Sequence, residues 1–303
     1  MAIPEGMQAE HDARERLKRK RGERSRGGIC CVCTAFAASL ADRAGDLSET
    51  RSSMKRLSVA IITLNEAERL GQTLEAVKDL ADEIIVVDAH STDATAEIAV
   101  AAGATVIVNT FVGYGEQKRF AEDQTTNDWI LNLDADEVVT PRLAAELAAW
   151  KRDGSSEPAC YEVDILNIYP GDTTPRPFAR DYRVVRLYDK TRLRYRDHPL
   201  FDRVEVPAGM PKGSLKAPIH HFPVVTFEQM VMKANRLSSV QAEKARPKPR
   251  WLLLVRLVTE FPLTFAKIYF LRLHILGGWK GLAFSIVNAF SRTLRIIKML
   301  ERE

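Results

Sequence analysis

The amino-acid sequence predicts an α/β protein built on a doubly wound, mostly parallel sheet. Three short segments, residues 57–63, 83–88 and 129–133, are mostly apolar and include many β-branched side chains. Strands that are buried on both faces have this length and composition. Helical spacing fills the intervals between them, as in Leu70 and Leu74 at i and i+4. Strands that alternate with helices in this way form parallel sheets covered by helices.

The other elements of this predicted domain follow in order along the chain. Helices are expected where apolar residues recur at helical spacing, and turns where Gly, Ser, Thr or Asp cluster. The order is a helical stretch from Asn65, a turn at 91–93, an Ala-rich helix at 94–102 that Gly103 ends, a strand at 105–108, a loop at 113–115, a helix at 116–124 and a helix that begins near Pro141.

Acidic residues mark the ends of the second and fourth predicted strands. Asp88 closes the second strand, and Asp134 and Asp136 follow the fourth. In open α/β sheets ligands bind at the carboxyl ends of the strands, where an acidic side chain commonly accepts hydrogen bonds from a nucleotide. Asp134 and Asp136 stand two apart, so on an extended backbone their carboxylates point the same way and suit Mg²⁺ or Mn²⁺. The alternative is a solvated acidic turn.

The phosphate-binding loops of the common nucleotide folds are absent from the sequence. No Gly-x-Gly-x-x-Gly follows the first strand, and no Gly-x-x-x-x-Gly-Lys occurs. The Gly- and basic-rich loop that a nucleotidyltransferase would carry near that strand is absent too. A bound nucleotide diphosphate therefore needs another source of positive charge, and a metal ion on Asp136 would supply it.

Three sequence blocks, in their order along the chain, resemble the signature blocks of the family-2 glycosyltransferases. They are residues 59–66 (VAIITLNE), 85–93 (IVVDAHSTD) and 132–137 (NLDADE). Residues 113–118 and 128–134 are similar to the branch that adds sugars to lipopolysaccharide core. The resemblance implies an inverting enzyme of the A-type glycosyltransferase fold. It also implies a nucleotide-sugar donor, such as a UDP-sugar, and a divalent metal, Mg²⁺ or Mn²⁺.

The resemblance further implies roles for single residues. One of these residues is Lys118, for which the alternative is a solvated position on a helix surface. By this resemblance Thr63, Asn65 and Glu66 would line the nucleotide pocket, Asp88 would hold the uridine or ribose, Lys118 would lie near the base or diphosphate, Asp134 would contact the ribose or metal, and Asp136 would ligate the metal.

An inverting transferase also needs a general base that takes the proton of the acceptor hydroxyl. Relatives often present it in a Val-His-Glu block that follows Arg-Leu-aromatic. Here residues 186–188 read Arg-Leu-Tyr, but the later block, residues 198–204, reads His-Pro-Leu-Phe-Asp-Arg-Val. Alignment puts Phe201 in place of the histidine and Asp202 in place of the glutamate, so Asp202 is the predicted base. His198 either takes a neighbouring role or is a loop residue.

A later block, residues 218–222, matches one in which a histidine precedes an aromatic residue. Alignment through residues 233–236 assigns that position to His221. The implied role is a metal or diphosphate contact, since imidazole binds divalent metals. The alternative is a histidine packed under the acceptor loop.

Residues 1–53 differ from the rest of the chain and are expected to form a disordered basic extension. Eight basic residues at 14–26 precede a mostly apolar patch at 29–41, which is too short to cross a bilayer. Residues 54–56 read Met-Lys-Arg directly before the first strand, so a mis-assigned translation start is one interpretation. Three cysteines crowd into 30–33 without the second cluster of a paired zinc motif, which favours a reducing compartment.

The charge of the chain is unevenly distributed. Residues 54–243, the expected catalytic domain, carry 22 basic and 29 acidic side chains, whereas residues 244–303 carry 12 and 3. This last part mixes basic and large apolar side chains, and its longest charge-free stretch, residues 281–291, is only eleven long. It is expected to form amphipathic helices that lie on an anionic membrane surface. The alternatives are a core or a dimer interface. Nucleic acid is not an expected partner, because many aliphatic side chains would stay exposed.

Together with these patterns, the resemblance implies a metal-dependent enzyme that transfers a hexose or heptose from a nucleotide sugar to a membrane glycolipid, such as lipopolysaccharide core. The expected location is the cytoplasmic face of the inner membrane, with peripheral attachment. The alternative is a catalytically silent, membrane-bound module that binds a sugar nucleotide or glycolipid. Phe201, which departs from the family pattern, is the feature that favours this alternative.

Overall fold

The computed structural model describes residues 54–302, except residues 154, 156 and 197–201. The expectations for residues 1–53, including the cysteines at 30–33, therefore lie outside the described residues. The same holds for His198 and Phe201.

A nine-stranded sheet forms the centre of the described chain. Its strands are β1 (Leu57–Thr63), β2 (Glu83–Asp88), β3 (Thr105–Val108), β4 (Trp129–Asp134), β5 (Glu137–Val139), β6 (Cys160–Asn167), β7 (Tyr182–Asp189), β8 (Gly213–Ser214) and β9 (Ile219–His221). Across the sheet their order is β3-β2-β1-β4-β7-β6-β9-β5, and β8 pairs with β6.

The first four strands form the parallel, doubly wound part that the sequence predicts. β1 pairs in parallel with β2 and β4, and β2 with β3. In this register Thr63 lies opposite Asp88, and Ile62 lies opposite Asp134. β4 runs one residue beyond the expected Leu133, because Asp134 still pairs with β1. The carboxyl ends of β1, β2 and β4 therefore meet at one edge of the sheet.

Antiparallel pairing enters the sheet beyond β4. β7 pairs antiparallel with β4 and β6, and β5 pairs antiparallel with β9, while β9 runs parallel to β6. His221 of β9 lies opposite Asn167 of β6 on one side and Glu137 of β5 on the other. This pairing brings a histidine to the acidic turn after β4, although more than eighty residues separate them in the sequence.

Helices flank the sheet and continue into the C-terminal part of the chain. Their bounds are α1 (Leu70–Glu75), α2 (Thr95–Ala101), α3 (Tyr114–Gln124), α4 (Pro141–Asp153), α5 (Phe227–Glu243), α6 (Arg250–Ala266) and α7 (Gly278–Leu300), with a π-helix at Lys267–Leu271 and a 3-10 helix at His274–Gly277 between the last two.

Apolar side chains cover both faces of the sheet. Leu57, Val59 and Ile61 of β1 belong to one buried cluster, whereas Ala60 belongs to another. Alternate residues of a strand point to opposite faces, so this division shows a sheet that is buried on both sides. The mixed, mostly parallel sheet with flanking helices confirms the predicted A-type glycosyltransferase fold, and the expected C-terminal helices are present.

The C-terminal helices pack on one another and contact the loop after β6. Leu253 of α6 and Ile296 of α7 share a small buried cluster. His274, which lies between these helices, is 2.8 Å from the hydroxyl of Tyr169 through Nδ1, and its ring stacks on Phe284. Burial raises the pKa of Tyr169 to about 12 and lowers that of His274 to about 4, so the phenol donates to a neutral imidazole at pH 7. Among the described residues, no helix is long and apolar enough to span a bilayer.

Candidate functional site

The strand-end edge brings several predicted residues together. Thr63 ends β1 beside Asp88 of β2, and Asp134 ends β4 on the other side of β1. The side chain of Thr63 is buried, and within the described residues its hydroxyl has no hydrogen-bond partner. A buried hydroxyl without a partner is energetically costly, so it can gain from a polar ligand. This edge is therefore suited to bind a polar molecule.

The loops after β1 and β2 are joined into one wall by hydrogen bonds. The Asn65 backbone N–H donates to Ser91 Oγ at 2.8 Å, and its side-chain oxygen accepts from the Thr92 N–H at 2.8 Å. Asp88 Oδ2 accepts from the Ser91 N–H at 2.9 Å. Asn65 itself lies at φ 53, a left-handed conformation that asparagine tolerates better than most residues. The first helix consequently begins at Leu70 rather than at the expected Asn65.

Asp134 lies between two buried cations. Its Oδ1 is 2.7 Å from Lys118 Nζ, and its Oδ2 is 2.8 Å from Arg186 Nη2. Arg186 also forms an ion pair with Glu137, whose side chain is fully buried. Both oxygens of Asp134 thus already have cationic partners.

The charges around Asp134 determine its protonation state. Burial by itself would raise the pKa of Asp134, but Lys118 and Arg186 outweigh it and hold that pKa well below its usual range. Burial by itself would lower the pKa of Lys118, but the neighbouring Asp134 keeps this pKa above its usual value. Burial raises the pKa of Glu137, against the opposing effect of Arg186. Asp134 is accordingly a carboxylate and Lys118 an ammonium at neutral pH.

Lys118 connects Asp134 to Asp202, the predicted general base. Its side chain is 0% exposed, so the alternative of a solvated helix-surface lysine is wrong. Besides Asp134, its Nζ lies 2.8 Å from Asp202 Oδ1. Asp202 remains 37% exposed at the surface of the site. One buried ammonium therefore forms ion pairs with both a carboxylate of the strand-end edge and a solvent-accessible carboxylate.

Asp136 and His221 form a second polar group beside the first. The Oδ2 atom of Asp136 is 3.3 Å from His221 Nε2 and 3.5 Å from Arg69 Nη1. His221 Nδ1 faces the side-chain oxygen of Asn167 at 2.7 Å and carries its hydrogen toward that oxygen. Burial would lower the pKa of His221, but the hydrogen bond with Asp136 and the charge of Asp136 raise it. Arg69 in turn pairs with Glu66.

Asp136 and His221 are the residues of this second group that could bind a divalent metal ion. With Nδ1 donating to Asn167, a protonated His221 donates from Nε2 to Asp136, whereas a neutral His221 turns its Nε2 lone pair toward Asp136 and could bind a metal ion together with that carboxylate. Within the described residues no cluster of three or more His, Cys, Asp or Glu side chains could hold a metal. Mg²⁺ commonly binds through one or two carboxylates together with substrate phosphates, and Asp136 supplies one such carboxylate. Asp134, the third residue expected at the metal, is directed to Lys118 and Arg186.

The site also contains residues that the sequence interpretation did not assign. Arg186 stands in the Arg-Leu-Tyr segment noted above, and Glu137 closes the block at 132–137. Both residues therefore belong to recognised motifs, but neither was given a role. Arg69 could have been noticed three residues after Glu66, the spacing of neighbours on a helix. Asn167 has no comparable sequence signal, because it reaches His221 only through the pairing of β6 with β9. The roles of the predicted site residues remain predictions.

Replacement of the buried lysine tests whether it serves more than stability. We expect Lys118→Met to lower both the thermal unfolding temperature and kcat. Breaking a buried ion pair costs about 3–5 kcal/mol. The lower part of that range applies here, because Asp134 keeps Arg186 and Asp202 can turn to solvent. Thermal unfolding and the transfer rate of the folded protein are the measurements.

A matched control is Lys151→Met. Lys151 is also largely buried, but it pairs with Asp82 beside Leu57, the first residue of β1, at the opposite end of that strand. This variant should lose stability and keep the kcat of the folded protein. If Lys118→Met behaves in the same way, Lys118 has a purely structural role.

The fold and its strand-end site define the class as an α/β enzyme of the A-type glycosyltransferase fold. The model of the family described as glycosyl transferase family 2 matches residues 58–217. The chain belongs to this family, as the three sequence blocks indicate.

Relatives of the chain include an uncharacterised glycosyltransferase of Rickettsia prowazekii, 36% identical over 81% of this chain and 87% of the relative. The lipopolysaccharide core biosynthesis glycosyltransferase LpsC of Rhizobium meliloti is 27% identical over 81% and 92%, respectively. Among solved structures, Staphylococcus aureus TarS 1–349 is similar with a TM-score of 0.40 and 16% identity, over 64% of this chain and 67% of that one.

Proposed function

We propose that this glycosyltransferase moves a sugar from a nucleotide-sugar donor, a UDP-sugar, to a hydroxyl of a membrane glycolipid, with inversion at the anomeric carbon. The observation that carries the proposal is the bridge from Asp134 through Lys118 to Asp202. It holds the carboxylate of Asp202, the proposed base, near the edge of the sheet where nucleotides bind in open α/β folds. Donor and acceptor could therefore both bind next to the ion pairs of Lys118.

The donor half of the proposed site uses the strand-end edge. Asp88 and the loop around Asn65 would hold the uridine and ribose, with Thr63 and Glu66 lining the pocket. Asp136 and His221 would hold Mg²⁺ or Mn²⁺, and Asp134 would contact the ribose or support the metal from its place beside Lys118. The bound metal would neutralise the charge that develops on the departing diphosphate.

The acceptor half uses Asp202. In the proposed reaction the acceptor oxygen attacks the anomeric carbon from the side opposite the diphosphate. The glycosidic bond forms as the carbon–oxygen bond to the diphosphate breaks, and the hydroxyl proton moves to the carboxylate of Asp202. The partial exposure of Asp202 leaves it accessible to an incoming hydroxyl. Lys118 orients that carboxylate from within the protein.

The acceptor is proposed from chemistry and from the relatives. LpsC, named for lipopolysaccharide core biosynthesis, aligns with most of this chain, which supports a glycolipid of the lipopolysaccharide core type. We further propose that the enzyme is a peripheral protein at the cytoplasmic face of the inner membrane, where a soluble nucleotide sugar and a membrane glycolipid can meet. A hexose or a heptose is the proposed sugar.

A donor screen tests this function directly. The full chain is incubated with single nucleotide sugars, a membrane lipid extract and Mg²⁺ or Mn²⁺, and the lipids are then analysed by mass spectrometry. We expect one donor to yield a lipid that is heavier by one sugar residue, and chelation of the metal to abolish that product. Donor binding without a lipid product for any donor would contradict the proposal and favour the silent binding module.

A further inference from the structure

The helices α6 and α7 expose many large apolar side chains. On each helix the residues of the set named below recur at helical spacing, so they share one side of that helix. The segment between the helices exposes more. We call the following set the apolar face: Trp251, Leu254, Val255 and Val258 on α6, Phe270, Leu271, Leu273, Ile275 and Leu276 between the helices, and Trp279, Leu282, Ile286 and Phe290 on α7.

Packing within the protein does not account for the apolar face. The opposite sides of the two helices supply the buried residues Leu253, Ile296 and Met299, which meet Ala242 of α5. The outer side chains remain in solvent, and Val258, Trp279 and Leu271 are 76%, 68% and 79% exposed. A soluble monomer rarely exposes so many large apolar side chains on neighbouring segments, and a surface of this kind commonly marks an interaction site.

Positive charge surrounds the apolar face. Residues 244–303 contain 12 basic and only 3 acidic side chains. One of the acids, Glu260, is neutralised by ion pairs with Arg256 and Arg292. The partner of this surface should therefore be both apolar and anionic. The exposed basic residues adjacent to it in the chain are Lys244, Arg246 and Lys248 before α6, Arg250 at its first position, and Lys267 and Arg272 between the helices.

We propose that the apolar face docks the protein in the plane of an anionic lipid bilayer. Basic residues beside large apolar side chains are the composition of helices that lie in a membrane interface, where apolar side chains enter the acyl region and cations meet lipid phosphates. A second copy of the chain would bring the same positive charge against itself, which disfavours a dimer through this face. The role of this docking rests on the proposed function, because docking would bring the enzyme to its proposed glycolipid acceptor.

Contacts between the C-terminal helical segment and the loop after β6 connect the apolar face to the candidate site. His274 lies inside the face's connecting segment and bonds to Tyr169, and Lys280 pairs with Asp172 at 2.5 Å. Tyr169 follows two residues after Asn167, which bonds to His221. Docking on a bilayer therefore orients the candidate site relative to the lipid surface rather than only raising the local concentration of enzyme.

Tryptophan fluorescence with vesicles tests the docking surface. The chain has four tryptophans: Trp129 and Trp150 are buried, whereas Trp251 and Trp279 belong to the apolar face. With vesicles of phosphatidylcholine and phosphatidylglycerol, the full chain should co-sediment and its emission should shift to shorter wavelength. Vesicles of phosphatidylcholine alone should bind at least about tenfold more weakly, and salt should weaken the binding. The double variant W251F/W279F should keep binding and lose the shift.

Variants of the apolar face complete the test. Val258→Ser combined with Leu271→Ser should weaken vesicle binding by at least about tenfold. Val100→Ser is the matched control, because Val100 is a similarly exposed valine, at 62%, on α2, and it should bind as the unmodified chain does. Asp136→Ala should also bind normally, which separates docking from any failure of the proposed transfer reaction.

Either of two kinds of result would overturn the docking proposal. One is equal binding of vesicles with and without phosphatidylglycerol, or equal binding by the double serine variant. The other is a dimer in sedimentation that the serine variant dissociates, without vesicle binding by either protein. That second result would assign the apolar face to contact between copies of the chain.

Discussion

Asp136→Ala is expected to reduce sugar transfer by about 100- to 1000-fold, the loss typical when one electrostatic group that stabilises the leaving charge is removed. Asp136 and His221 are the two proposed metal ligands, at 3.3 Å from each other, and alanine leaves the imidazole alone. The response of kcat/KM to added Mg²⁺ or Mn²⁺ should therefore largely disappear. Calorimetric titration with the donor, with and without metal, should show that the metal-dependent part of donor binding is lost as well.

The control for this prediction is Asp123→Ala. Asp123 is 54% exposed and pairs with Arg194, so its removal deletes a surface carboxylate at little cost in stability. It should leave transfer and metal response unchanged. Asp136→Asn adds a variant of nearly the same shape, which maintains contacts with Arg69 and His221 without the negative charge. Transfer that persists in both Asp136 variants, with an unchanged metal response, would refute the proposed metal role.

Asp202→Asn is expected to lower kcat by about 100- to 10,000-fold, the usual contribution of a general base. The amide has nearly the shape of the carboxylate and can still accept from Lys118, so the local packing should remain. It cannot take the proton of the acceptor hydroxyl at neutral pH. Donor binding by calorimetry should therefore stay close to that of the unmodified enzyme, while single-turnover transfer falls.

Asp164→Asn is the matched control for this second prediction. Asp164 is also a partly exposed aspartate, at 46%, held by a cation, Arg183 at 2.8 Å. An exposed ion pair of this kind contributes at most about 1 kcal/mol, so the substitution should change neither stability nor rate appreciably. If Asp202→Asn transfers sugar as fast as Asp164→Asn, another group is the base.

Much of the parallel part of the fold could be predicted from local sequence patterns. The strands at 57–63, 83–88 and 105–108 have the predicted bounds, because short apolar segments between turn residues carry their own signal. The start of the first helix could not be predicted in the same way. Asn65 adopts a left-handed backbone and bonds to Ser91, so tertiary contacts with the next loop delay the helix to Leu70.

The candidate site could likewise be predicted only in part. Asp88, Asp134 and Asp136 could be placed together because they stand at or just after strand ends, and parallel strands share one edge. Their partners could not be predicted. The sequence pattern presented Asp134 and Asp136 as one pair of like-directed carboxylates, yet Asp134 faces Lys118 and Arg186 whereas Asp136 faces His221.

The sequence by itself determined the family, the parallel sheet and the acidic edge, since these depend on residues that are neighbours along the chain or on strands that repeat one pattern. Only the tertiary structure decided which cation meets which carboxylate. Arg186 lies 52 positions from Asp134, and its contact exists because β7 packs antiparallel beside β4. Side-chain spacing carries information over a few residues, whereas an ion pair between distant strands depends on the order and register of the whole sheet.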